Sequence, residues 1–118
     1  ACWRRVRALE EEGVIERYAA LLSRPKLGLD LCAFVHISLA RHVQESTVPF
    51  EQAVMERPEV MECFSVSGER DYLLQIISRD MESYNEFLNT QILDHPSVHS
   101  ASSSFALRRV KYTTALPL

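Results

Sequence analysis

Apolar residues recur at two spacings along this chain, and each change of spacing marks a new element. Trp3, Val6 and Leu9 stand three apart and predict one apolar stripe on a helix over residues 1–12. Gly13 follows directly and suits the left-handed position that closes a helix. Glu10, Glu11 and Glu12 lie at the end of that helix where its dipole disfavours acids, so contacts with a partner are expected for them. VIERYAALL at 14–22 reads as one or two short linking strands, and SRPKLG at 23–28 as a loop punctuated by Pro25 and Gly28.

From residue 29 the spacing becomes two. In LDLCAFVHISLA, residues 29–40, Leu31, Ala33, Val35, Ile37 and Leu39 share one face and Cys32, Phe34, His36, Ser38 and Ala40 the other. Both faces are largely apolar, which predicts a strand covered on both sides. TVPFEQAVMER at 47–57 returns to helical spacing, with Pro49 in the first turn, Phe50, Ala53 and Val54 facing inward, and Pro58 as the stop. VMECFSVS at 60–67 and DYLLQIIS at 71–78 read as two strands joined across a tight turn, where Gly68 can take positive φ. MESYNEFLNTQIL at 81–93 is the clearest helix, with Asp80 as N-cap and Met81, Tyr84, Phe87, Leu88 and Ile92 on one face. His95, Pro96 and Ser97 break it, and 98–112 reads as the last strand.

The order over 29–112 is therefore β-α-β-β-α-β. This is the ferredoxin-like α+β pattern: a four-stranded antiparallel sheet with two helices on one face, here preceded by a helix and a short linking strand. The second sheet face has no element of the chain left to cover it. An uncovered apolar face marks an interface, so a homodimer formed sheet against sheet, or through equivalent edges, is expected.

Composition narrows the functional classes. A chain of 118 residues suits a single core. Its net charge of −3 argues against nucleic-acid binding by the whole chain, although Arg4, Arg5 and Arg7 leave a local basic face. No apolar run is long enough to span a membrane. Cys2, Cys32 and Cys63 form no CxxC pair and fit a reducing cytoplasm. His36, His42, His95 and His99 lack metal-ligand spacing, and His36 within an apolar strand fits an interface histidine. No phosphate loop, nucleophile–base order or paired carboxylates stand out, so neither enzyme activity nor a cofactor is expected.

The chemistry of interest gathers in SVSGERDYLLQI, residues 65–76. Gly68 lets backbone approach a ligand closely, turn amides can cradle a carboxylate, and Asp71 can pair with an ammonium. Leu73 and its apolar neighbours could sort side chains by size. The same residues also suit a plain hairpin turn with surface charges. In the last strand, alternation sets Ser103 on one face and Ser102 and Ser104 on the other.

CWRRVRALEEEGVIERYAALLSRPKLG at 2–28 and VSGERDYLLQIISRDMESYNEFLNTQIL at 66–93, with the closing V-K and L-P-L, together resemble the Lrp/AsnC, or feast/famine, transcription regulators. The resemblance implies that residues 1–28 are the end of a recognition helix plus a linking strand, and 29–118 a ferredoxin-like ligand-binding and oligomerisation domain. It implies DNA contacts from Arg4 and Arg5 in the full-length protein. It also implies an amino-acid effector bound between dimers near Gly68, Glu69, Arg70, Asp71, Tyr72, Leu73 and Ser103, and dimers associating further, often as an octameric ring of four. The expected function is thus an amino-acid-responsive transcription regulator. A stand-alone amino-acid-binding module without DNA is the alternative, and upstream sequence holding further helices would separate the two.

Overall fold

The structure, a computed structural model, describes residues 2–40, 47–67 and 71–118. It contains helix α1 (Cys2–Glu11), strand β1 (Leu31–Leu39), helix α2 (Thr47–Met55), strands β2 (Val60–Ser65) and β3 (Asp71–Ser78), helix α3 (Met81–Phe87) continuing into a wider π-helical segment (Leu88–Leu93), and strand β4 (Val98–Phe105). The four strands form one sheet in the order β2-β3-β1-β4, with every neighbouring pair antiparallel. This is the ferredoxin-like arrangement that the order of elements predicts.

Alternation along the strands decides what each face does. Ala33, Val35, Ile37 and Leu39 of β1 are buried together with Tyr72, Leu74 and Ile76 of β3. Phe50 and Val54 from α2 and Tyr84, Phe87 and Ile92 from the α3 segment complete this core. Phe87 and Ile92 stand five residues apart, a spacing that an α-helix would turn to different sides. The i→i+5 winding of the π-helical segment keeps both on the core side. Met81, expected on the inner face, instead lies 45 % exposed in the first turn of α3. Asp80 caps α3 as expected, its carboxylate accepting the Ser83 amide at 2.8 Å.

Three expectations need correction. Residues 14–22 form no strand: the segment has no hydrogen-bonding partner strand among the described residues, and a strand needs a ladder. Strand β4 ends at Phe105 rather than near 112, because its partner β1 runs out there: Phe105 pairs with Ala33, and the Ala106 amide reaches Cys32 close to the start of β1. The second face of β1 is only partly hidden. Cys32 is 6 % exposed, whereas Phe34 is 39 % exposed.

α1 ends as its glycine predicts. Gly13 has φ 81°, its amide reaches the Glu10 carbonyl at 3.1 Å, and the Val14 amide reaches the Leu9 carbonyl at 2.9 Å. This paired closure satisfies carbonyls that a helix end leaves without partners. Two of the acids at this end have partners within the chain. The Tyr18 hydroxyl donates to Glu10 at 2.7 Å, and Arg7 pairs with Glu11 at 3.3 Å. No residue of α1 is buried, so the stripe of Trp3, Val6 and Leu9 is exposed.

Candidate functional site

The hairpin that holds the candidate turn is closed by the pair Ser65–Tyr72 and by the Val66 amide donating to the Asp71 carbonyl at 3.3 Å. Gly68, Glu69 and Arg70, and with them the expected positive φ at Gly68, lie outside the described residues. His42 lies outside them too.

The strand register sorts the remaining candidates onto two faces. On the face opposite the helices, three rows cross the sheet. Phe64, Leu73, His36 and Ser102 form one row. Glu62, Gln75, Phe34 and Ser104 form the next, and Asp71, Ser38 and Ser100 a third. The open face is therefore apolar through Phe64, Leu73 and Phe34, and edged by serines on β4. Asp71 already has partners here: its carboxylate accepts the Ser38 hydroxyl at 3.2 Å and lies 4.0 Å from His36 Nε2.

Tyr72 and Ser103 point the other way, into the helix-covered side. Tyr72 is buried, and its hydroxyl donates to the carboxylate of Glu51 on α2. Burial first, then this hydrogen bond and the negative charge of Glu51, push the Tyr72 phenol up to about 12. Desolvation and the same carboxylate raise the Cys63 thiol, so Cys63 is held as the less reactive thiol form. Ser103 shares a hydrogen bond of 2.5 Å with the Tyr84 hydroxyl, and the Tyr84 ring meets Phe105 edge-on with centroids 5.2 Å apart. Burial raises the Tyr84 phenol, with the Ser103 bond acting in the opposite direction.

The expected set is thus divided. Asp71 and Leu73 share the open face, Tyr72 and Ser103 lie on the covered face, and Ser103 is not brought to Asp71. Sequence reasoning missed Ser38, Glu51 and Tyr84 as the partners of these residues. Periodicity already assigns Ser38 to a strand face and Tyr84 to a helix face; the contacts themselves require the strand order and register. On α1, Arg4 and Arg5 are exposed, while the Arg7 guanidinium lies 5.2 Å from the Trp3 ring centre. Among the described residues, no group of three or more His, Cys, Asp or Glu is placed to hold a metal ion, and no helix is long and apolar enough to cross a membrane.

Among the described residues the chain presents a ferredoxin-like sheet with one open face and an exposed helix ahead of it, and comparison with known proteins supplies the class. Residues 32–116 match the Lrp/AsnC ligand-binding domain. The chain is 39 % identical over 117 residues to the DNA-binding transcriptional activator DecR of Escherichia coli, covering 99 % of this chain and 77 % of that protein. It is 36 % identical to the Bkd operon transcriptional regulator of Pseudomonas aeruginosa, covering 98 % and 75 %. Among solved structures, the transcriptional regulator NMB0573 of Neisseria meningitidis in complex with L-Met superposes with a TM-score of 0.93 at 40 % identity, covering 98 % of this chain and 75 % of that one. The chain belongs to the Lrp/AsnC family of transcription regulators.

Proposed function

We propose that this chain is the effector-sensing and assembly part of an amino-acid-responsive transcription regulator. Recognition of the amino acid is assigned to the connection between β2 and β3, Gly68–Asp71. Support comes from the 0.93 superposition onto a relative in complex with L-Met, and from a second relative, the feast or famine regulatory protein of M. tuberculosis, which is 28 % identical and complexed with L-methionine. In this reading, turn amides meet the ligand carboxylate and neighbouring apolar groups select its side chain. Asp71 is committed to Ser38, so an ammonium there would compete with an existing partner.

Assembly belongs to the open sheet face. Phe34 and Phe64 are exposed on it at 39 % and 51 %, and among the described residues its rows carry the ionisable side chains of Glu62, Asp71 and His36. A face that sets an acid beside a base and carries apolar side chains among its polar ones can complement itself, as a two-fold interface requires. The second copy is therefore assigned to this face, with further association of dimers as the route by which an effector changes DNA occupancy. Arg4 and Arg5 on α1 are assigned to DNA in the full-length protein. The exposed stripe of α1, with Trp3 at 68 % exposure, favours a helical unit beside it over a stand-alone sensing module.

Calorimetric titration with each standard L-amino acid, beginning with L-methionine, tests the effector assignment. At least one should bind, and Gly68→Val, in protein that circular dichroism shows to be folded, should weaken that binding by about tenfold. Binding that is absent for every amino acid, or indifferent to Gly68→Val, sinks the assignment to this turn.

A further inference from the structure

His36 stands at the middle of the open face, on β1 with β3 on one side and β4 on the other. Its side chain is 52 % exposed, and Nε2 lies 4.0 Å from Oδ2 of Asp71, whose side chain is 26 % exposed. The second Asp71 oxygen is held by Ser38, which fixes the carboxylate beside the imidazole. We infer that this pair makes sheet-to-sheet assembly respond to acid: protonated His36 neutralises Asp71, and two copies bind each other more tightly. The inference rests on the open face being where the copies meet.

The sign follows from the charges that face His36. Among the described residues, β3 presents Asp71, β2 presents Glu62 one row away, and β4 presents the hydroxyls of Ser100, Ser102 and Ser104, with a second exposed imidazole, His99, at its register shift next to Ser100. With a neutral imidazole, the three rows bring two carboxylates and no cation from each copy among the described residues. Desolvating a carboxylate without a partner is costly. With a protonated imidazole, one of the two becomes half of an ion pair, and on a two-fold interface each His36 can also meet the Asp71 of the partner copy. Desolvation alone would favour the neutral imidazole, but here it must act on a group with a carboxylate already positioned beside it.

Sedimentation equilibrium at constant ionic strength, at about pH 6 and about pH 8, measures the effect. The wild-type chain should associate about tenfold more tightly at the lower pH. His36→Gln should show equal constants at both. Asp71→Asn should also lose the pH response, and should bind more tightly than wild type at the higher pH, because the unpaired acid is gone. An unchanged or weaker wild-type association in acid overturns the inference, as does a full response retained in His36→Gln. A chain that stays monomeric at every pH and concentration removes the sheet-pairing reading as well, which separates the two failures.

Discussion

At the scale of single residues, the clearest signature is the Tyr72–Glu51 pair. Tyr72 sits directly after the candidate turn, and its hydrogen bond ties β3 to α2. Its phenol is pushed up to about 12, from an ordinary value of 10.0. A group whose folded value is raised contributes stability that is fully present below the unfolded value and is lost as pH rises through the folded one. Tyr72 should therefore ionise well above the ordinary phenol range. Absorbance titration should show a late step that vanishes in Tyr72→Phe and moves to lower pH in Glu51→Gln, which keeps an acceptor but not the charge. Tyr72→Phe should cost about 1 kcal/mol in denaturant unfolding. Asp80 works in the opposite direction: its hydrogen bonds from Ser83 hold the carboxyl below its ordinary value. Its contribution is present above the unfolded value and lost as acid protonates it, so Asp80→Ala should lower the melting temperature at neutral pH and make little difference in strong acid.

At the scale of elements, adjacent residues on β3 have opposite fates. Leu74 is fully buried beneath the helices, whereas Leu73 lies half-buried on the open face between His36 and Phe64. Leu74→Ala should cost about 2–5 kcal/mol in urea unfolding. Leu73→Ala should cost much less in the isolated chain and act mainly on association. This split, and most of the fold with it, was legible from alternation: the register needs only that Val35, Leu74 and Cys63 share one side and Phe34, His36 and Phe64 the other. What was not legible depended on partners. VIERYAALL has strand-like composition, but composition does not supply a neighbouring ladder, and the same lack of a partner ends β4 at Phe105. The candidate site suffered in the same way. Proximity in sequence joined Asp71 to Tyr72, yet successive strand residues point to opposite faces, and Ser103 found Tyr84 from a helix instead.

At the scale of the whole molecule, the open face decides whether the chain works alone. Phe34 lies near its centre on β1, 39 % exposed, with Gln75 on one side and Ser104 on the other. Its side chain points away from the helix-covered core, so Phe34→Asp should leave the fold intact by circular dichroism and thermal melting. In an assembly through this face, the same change would bury a carboxylate beside the existing Asp71 and Glu62, and an unpaired buried charge costs several kcal/mol. Sedimentation should then find a monomer at concentrations where the wild type associates. Ser104→Asp places the same charge in the same row but on the edge strand β4, where water can reach it, and should weaken association far less. If Phe34→Asp associates like the wild type, the copies do not meet at this face. The acid response assigned to His36 then loses its basis, while membership of the Lrp/AsnC family and an effector site at the β2–β3 connection are left standing, because neither depends on which surface the copies use.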